Sequence, residues 1–132
     1  MAEPVITVSA VVLRDDDGRI LTVRKRGTSR FMLVGGKPEP GETPTQTALR
    51  ETTEEVGLAL DPDELRVLGS FEAPAANEPG HRLVSHVFTH PLPALPRPAA
   101  EIEEVRWLDP TQPLPDDLAP MLEFRVLPAL QG

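Results

Sequence analysis

The 132-residue sequence contains no cysteine and no tyrosine, and its aromatic residues are one tryptophan and four phenylalanines. Without cysteine the chain forms no disulfide, no thiolate nucleophile and no cysteine-type zinc site, so any catalysis must use carboxylate, histidine or hydroxyl groups. Long apolar runs are also absent, and the apolar-leaning segment from Val5 to Leu13 has no basic stretch before it. We therefore expect a cytoplasmic protein that does not associate with membranes.

Basic residues are outnumbered: 13 Lys and Arg stand against 21 Asp and Glu, a formal net charge of −8. Such an excess of negative charge repels nucleic-acid backbones, which argues against a nucleic-acid polymer as partner. The length suits one domain over residues 1–132. Neither a coiled-coil pattern nor an apolar surface stripe is evident, so oligomeric state stays open.

The apolar pattern predicts strands mixed with two helices. Strands are predicted at residues 5–14, 19–24, 65–72, 82–90 and 105–108, with a short apolar run at 31–34. A helix is expected to begin at the N-cap Thr43, with Pro44 first and Gln46 completing a capping box, and to end at Gly57. A second helix, interrupted by two prolines, is predicted over 117–130. This mixture favours an α/β/α sandwich.

Three glutamates of the first predicted helix fall on one stripe. Glu51, Glu54 and Glu55 lie within about 100° of one another on a helical wheel, because positions i, i+3 and i+4 share a face. Arg50 alone cannot neutralise three neighbouring carboxylates, so a hard divalent cation such as Mg²⁺ is a natural partner. The alternative is a solvated acidic face without a ligand.

The spacing around these glutamates is distinctive. Gly36 is followed after five residues by Glu42, and after seven more by the run Arg50-Glu51-Thr52-x-Glu54-Glu55-x-Gly57-Leu58. Over residues 36–58 the chain resembles the Nudix box, the signature of Nudix (MutT-like) pyrophosphohydrolases. That resemblance implies a Nudix-type α/β/α sandwich with a mixed β-sheet and a loop-helix catalytic motif. Thr52 and Val34 depart from the usual pattern, which has an aliphatic residue and commonly a proline there; the Thr52 hydroxyl is free to bond the Ala48 carbonyl.

The resemblance implies metal-dependent hydrolysis of a nucleoside diphosphate linked to another moiety, with Mg²⁺ as cofactor and Mn²⁺ as a substitute. The metal ligands carried over by position are the Gly36 carbonyl and the carboxylates of Glu51, Glu54 and Glu55. Either Glu51 or Glu54 is the candidate general base, with Arg50 orienting a glutamate. Glu101 is the candidate carboxylate from a distant loop, as metal ligand or base, and the alternatives to it are Glu103 and Glu104.

Other residues are assigned to substrate binding and to loop shape. Near the substrate phosphates we expect the basic side chains of Arg24, Lys37 and Arg82. The residues expected to shape the motif are Gly41, Glu42 and Gly57. Phe31 and Phe88 are expected to fill the core, with stacking on a base as the alternative.

The substrate is expected to be a small-molecule nucleotide, but its identity stays open. The small size favours a MutT-like enzyme that cleaves a nucleoside triphosphate, including an oxidised one, to a monophosphate and pyrophosphate. Pro74, sixteen residues after the box, favours ADP-ribose or another nucleoside-diphosphate sugar instead. The third hypothesis is a non-catalytic nucleotide sensor, against which stands the presence of every box carboxylate.

Overall fold

The computed structural model describes residues 3–99 and 101–131, which fold around a six-stranded sheet. The strands are β1 (Val5–Arg14), β2 (Ile20–Lys25), β3 (Val34–Gly36), β4 (Arg66–Pro74), β5 (Arg82–Pro91) and β6 (Ile102–Leu108). Helix α1 spans Pro44–Val56, and a 3₁₀ turn covers Pro62–Glu64. The C-terminal segment is π-helical over Met121–Val126 and continues as α2, Leu127–Gln131.

The strand order is β4-β5-β1-β2-β6, and β3 pairs with β1 on the same side as β2. β1 and β5 run parallel while the other pairs are antiparallel, so the predicted mixed sheet is confirmed. β1 accommodates two partners on one side because β2 pairs with it at Arg14, whereas β3 pairs with residues 9–11. This arrangement brings β3, and the loop that follows it, to the middle of the sheet.

A layer of helical structure covers each face of the sheet, so successive residues of β1 are buried on opposite sides. Val11 and Leu13 belong to the apolar cluster that contains Val56 of α1. Val12 belongs to the opposite cluster, together with Leu122 of the C-terminal segment. The α/β/α sandwich is therefore confirmed, and continuous burial explains why β1 is apolar without alternation.

Helix α1 has the predicted ends. The Thr43 hydroxyl accepts the Gln46 N–H at 3.2 Å, and the Gln46 side chain accepts the Thr43 N–H at 2.9 Å, which completes the capping box. Gly57 terminates the helix with a φ of 68°, in the left-handed region that favours glycine. The buried Thr52 hydroxyl donates to the Ala48 carbonyl at 2.8 Å, as its position predicts.

The second predicted helix is wrong over its first residues. Residues 117–119 are not helical, because the Phe31 N–H donates to the Asp117 carbonyl and the Ala119 N–H donates to the Phe31 carbonyl, each at 2.8 Å. Helical structure begins at Met121. β6 likewise starts at Ile102, three residues before its predicted start. In the described residues, no helix combines the length and apolar character needed to span a membrane.

Candidate functional site

An acidic cleft of ≈ 640 Å³ lies between the N-terminal part of the loop that follows β3, one face of α1, the end of β2 and the β4–β5 hairpin. Six carboxylates line this cleft: Glu39, Glu51, Glu54, Glu55, Glu78 and Glu101. Four basic side chains line it as well: Lys25, Arg26, Lys37 and Arg50. The cleft therefore combines hard oxygen donors with cations that can face phosphate groups.

Glu42 holds the loop before α1 in shape. Its carboxylate accepts the Glu39 N–H at 2.9 Å and the Thr47 hydroxyl at 2.7 Å, while Gly41 supplies a backbone turn with a φ of 78°. Hydrogen bonds from Arg50 do most to lower the pKa of the Glu42 carboxyl, to about 2. Glu42 is thus ionised at neutral pH and faces the start of α1 rather than the open cleft.

Arg50 connects the loop to the acidic stripe. Its guanidinium donates to Glu42 at 2.7 Å, to Glu51 at 2.7 Å and to Glu54 at 3.1 Å. It also donates to the Lys37 carbonyl at 3.0 Å. These contacts, led by the Glu42 bond, raise the pKa of Arg50 above its already high value. One guanidinium therefore fixes the relative positions of three carboxylates.

Gly36 and Glu51 are in close contact at the end of β3. A Cβ atom placed on Gly36 would collide with the Glu51 carboxyl group, which would then have to shift from its present position. Oε1 of Glu51 is the atom that pairs with Arg50, which leaves Oε2 on the side of Gly36. The end of β3 thus forms a cradle for the Glu51 carboxylate.

Glu55 is the buried carboxyl of the stripe, with a side chain only 7% exposed. Its Oε1 accepts the Gly35 N–H at 3.0 Å, and its Oε2 lies 3.7 Å from the Lys25 ammonium. Burial raises the pKa of Glu55 to about 7, against the Gly35 hydrogen bond and the Lys25 charge. A full charge on this group is therefore costly unless a cation compensates it.

The donor set fits a hard divalent cation, since it consists of carboxylate and carbonyl oxygens around Gly36. Within residues 3–99 and 101–131, however, no three Asp, Glu or His side chains converge in an arrangement that would hold a metal ion. Arg50 engages one oxygen each of Glu51 and Glu54. The remaining oxygens of Glu51 and Glu54 are not engaged by Arg50.

An apolar pocket of ≈ 150 Å³ adjoins the acidic cleft on the other side of the β4–β5 hairpin. Its walls include Ile6, Met32, Leu83, Met121 and Leu122. Phe31 and Phe88 do not line it: Phe88 is buried in the α1 layer, and Phe31 lies beneath Arg106, whose Cζ is 3.7 Å from the ring centroid. Both rings are therefore core residues, as expected, and the alternative that they stack on a base there is wrong.

The structure brings together most of the side chains singled out from sequence. Gly36, Lys37, Arg50 and the four glutamates of the metal hypothesis all line the acidic cleft; those glutamates are Glu51, Glu54, Glu55 and Glu101. The alternatives to Glu101 are not among the residues lining the cleft; Glu103 pairs with Arg26 at 3.3 Å and Glu104 with Arg24 at 3.2 Å. Gly41, Glu42 and Gly57 sit at the loop and helix ends.

Two predicted phosphate-binding residues lie outside the cleft. Arg24 pairs with Glu104 and donates to the Thr28 carbonyl at 2.9 Å, because strand alternation turns it away from α1. Arg82 opens β5, where its N–H donates to the Pro4 carbonyl at 2.8 Å, and it is not among the residues lining the cleft. Their assignment to this cleft is corrected accordingly.

The cleft residues that sequence reasoning missed include Lys25, Arg26, Asn77 and Glu78. The position of Lys25 could have been predicted, because alternate residues of a strand point to the same face and Leu21 and Val23 of β2 pack against α1. Asn77 and Glu78 lie at the tip of the β4–β5 hairpin, where residue type alone does not indicate which part of the molecule a side chain faces. Their position follows from long-range strand pairing.

Comparison with known proteins gives a consistent result. The family described as NUDIX domain matches residues 3–130. A MutT-like protein of Streptomyces ambofaciens is 32% identical over 128 residues, which make up 96% of this chain and 77% of that protein. An 8-oxo-dGTP diphosphatase of Haemophilus influenzae is 37% identical over 78 residues, covering 56% of this chain and 57% of that enzyme. The solved structure of a MutT NUDIX hydrolase from Burkholderia pseudomallei shares the fold with a TM-score of 0.77, at 24% identity and 98% coverage of both chains.

Proposed function

The chain belongs to the Nudix family of hydrolases, which act on pyrophosphate bonds, and we propose that its acidic cleft cleaves a nucleotide with the help of a divalent metal ion. The observation that carries the proposal is the Glu51 carboxylate seated against Gly36 in a cleft lined by six carboxylates. A structural acidic helix face would gain nothing from such a cradle, whereas a metal site needs fixed oxygen donors.

The cation would be Mg²⁺, with Mn²⁺ as a substitute. Its ligands would be the Gly36 carbonyl and the carboxylates of Glu51, Glu54, Glu55 and Glu101. When bound, such an ion neutralises phosphate charge and acidifies water. Glu51 and Glu54 each need only their second oxygen for this role, since Arg50 engages the first.

The chain's own residues divide the remaining tasks. Glu51 or Glu54 accepts the proton of the attacking water, and Arg50 keeps both carboxylates in position. Lys37 and Lys25 lie in the cleft beside these carboxylates and face the phosphates. The water oxygen bonds to phosphorus, the bridging P–O bond breaks, and the released phosphate group leaves with that electron pair.

The substrate we propose is a nucleoside triphosphate, including an oxidised one, cleaved to a monophosphate and pyrophosphate. This choice is supported by the adjacency of the two cavities: phosphates fit among the cations of the acidic cleft, and a base fits the apolar pocket. ADP-ribose and other nucleoside-diphosphate sugars are the second candidates, because Pro74 lines that same pocket.

The test is a hydrolysis screen in Mg²⁺ over nucleoside triphosphates, oxidised triphosphates, ADP-ribose and sugar nucleotides, with the products resolved. Glu54→Gln is expected to lower kcat at least about a hundredfold, as removal of a general base or metal ligand does. The matched control is Glu64→Gln, which makes the same change on an exposed 3₁₀-turn residue outside the cleft. It should retain wild-type activity.

The screen also distinguishes the competing hypotheses. Cleavage of ADP-ribose in preference to triphosphates would replace the first substrate class by the second. Binding of a nucleotide without hydrolysis would favour a sensor and overturn the catalytic proposal. Equal activity of Glu54→Gln and wild type would place the chemistry outside the acidic cleft.

A further inference from the structure

The acidic cleft and the apolar pocket meet at a junction formed by four residues that line both: Lys25, Gly36, Asn77 and Glu78. Gly36 has no side chain, and the Lys25 ammonium lies 3.7 Å from Glu55 in the cleft. The two side chains that bring hydrogen-bonding groups from the hairpin to this junction are therefore the Asn77 amide and the Glu78 carboxylate.

The hairpin tip that carries these side chains is held by its own backbone bonds. The Ala75 N–H donates to the His81 carbonyl at 3.0 Å, and the His81 N–H donates to the Glu78 carbonyl at 3.2 Å. Gly80 has a φ of 79°, which a tight turn of this kind requires. Asn77 and Glu78 are thus presented at a defined place beyond the ends of β4 and β5.

Both side chains are accessible to a ligand. Asn77 is exposed, and the Glu78 side chain is 43% exposed. Oε1 of Glu78 lies 3.6 Å from the Lys37 ammonium, which leaves Oε2 outside that ion pair. Because exposed ion pairs contribute little free energy, a ligand hydroxyl can bond this carboxylate at small cost.

We propose that Asn77 and Glu78 bind the pentose of the nucleotide and select ribose over 2′-deoxyribose. The inference rests on the proposed function, because a nucleotide with phosphates in the cleft and its base in the pocket must pass its sugar through the junction. A carboxylate accepts hydrogen bonds from sugar hydroxyls, and an amide both donates and accepts them. A 2′-deoxy sugar lacks one of the hydroxyls that these side chains can bond and so forms fewer hydrogen bonds with them.

The walls of the apolar pocket differ in chemistry from the junction. Beyond the junction most of the pocket wall consists of apolar side chains such as Leu83, Met121 and Leu122, which offer no hydrogen bonds to a base, although Ser9 also lines the pocket. The sugar is therefore read by side-chain hydrogen bonds while the base is read mainly by shape. Discrimination between ribose and deoxyribose should exceed discrimination among bases of similar size.

The test compares ATP with dATP, which differ only in the 2′-hydroxyl, in wild type and in the Asn77→Ala/Glu78→Gln double variant. We expect wild type to prefer ATP in kcat/KM by about tenfold, the value of one hydrogen bond to a charged group, and the double variant to lose this preference. Lys37→Met is the matched control, since it breaks the Lys37–Glu78 ion pair but keeps the carboxylate. Its ATP-to-dATP ratio should stay at the wild-type value even if both rates fall.

A binding measurement separates this inference from the proposed function. The non-hydrolysable α,β-methylene analogues of ATP and dATP are titrated calorimetrically into the same proteins with Mg²⁺. Tenfold tighter binding of the ribose analogue, lost in the double variant, would support the inference even if no nucleotide were hydrolysed. Equal affinity for the two sugars, a preference that survives in the double variant, or no binding of either analogue would overturn it, even if triphosphates were cleaved.

Discussion

Replacing Glu55 by glutamine is expected to stabilise the metal-free protein at neutral and alkaline pH. Burial raises the pKa of Glu55 from 4.5 to about 7 in the folded state. Because the folded pKa lies above the unfolded value, ionisation costs stability progressively as the pH rises from 4.5 to about 7, and the full cost persists above that range. Glutamine has nearly the same shape and still accepts the Gly35 N–H, but it carries no charge.

The size of the effect follows from the pKa difference. At about 1.4 kcal/mol per pKa unit, the rise in the Glu55 pKa from 4.5 to about 7 corresponds to about 3 kcal/mol of unfolding free energy as an upper bound. For a domain of this length, 1 kcal/mol shifts Tm by roughly 3 °C, so the variant should melt as much as about 10 °C higher. The difference should shrink to a few tenths of a kcal/mol near the unfolded pKa, where the carboxyl is protonated in the folded state and about half protonated in the unfolded state.

The assay is denaturant unfolding of both proteins in EDTA, at about pH 8 and again at about pH 4.5. Glu54→Gln provides the matched control, because the Glu54 side chain is 52% exposed and its loss should change stability little. Added Mg²⁺ should narrow the gap between wild type and Glu55→Gln, since a cation that binds the ionised carboxylate stabilises only the wild-type folded state.

Equal unfolding free energies of wild type and Glu55→Gln at about pH 8 would refute the reasoning, because the buried carboxylate would then carry no cost. A large gap that persisted unchanged near pH 4.5 would refute it as well, since the effect would then be one of packing and not of charge.

Three further substitutions test separate parts of the site and its support. Gly36→Ala should lower kcat/KM at least about tenfold, because its Cβ would collide with the Glu51 carboxyl group and displace it; unchanged kinetics would contradict the cradle. Glu42→Gln should lower Tm near neutral pH, because the lowered pKa of Glu42 means that its ionised carboxylate stabilises the folded state. This deficit in Tm should fade as the pH falls from 4.5 towards 2, and a deficit independent of pH would contradict the reasoning. Thr52→Val should raise the unfolding free energy by up to about 1 kcal/mol in denaturant titrations, since it removes a buried hydroxyl bonded only to Ala48, and a loss of stability would count against that account.

The helix that carries the acidic stripe could be predicted because its signals are local. The capping box at Thr43 and the left-handed Gly57 lie within a few residues of the helix ends that they define. The i, i+3, i+4 spacing then fixes which glutamates share a face, whatever the rest of the fold does. Burial of Glu55 was not predictable in this way, because it depends on β3 packing against α1.

Elements set by distant pairing were predicted less well. Residues 117–119 are kept out of a helix by hydrogen bonds to Phe31, which is far away in the sequence, so helical propensity does not decide their structure. Asn77 and Glu78 reach the junction only because β4 pairs with β5 and β5 with β1. Arg24 lies on the face of β2 that points away from α1, whereas Lys25, like Leu21 and Val23, points towards the helix.

The central claim is that the acidic cleft hydrolyses a pyrophosphate bond in a metal-dependent reaction. The most direct measurement is product analysis of a cleaved nucleoside triphosphate in Mg²⁺ and in EDTA, for wild type, Glu54→Gln and Glu64→Gln. We predict a monophosphate and pyrophosphate from wild type and Glu64→Gln in Mg²⁺ only, and almost no product from Glu54→Gln. Turnover that persists in EDTA, or in Glu54→Gln at the wild-type rate, would contradict the account.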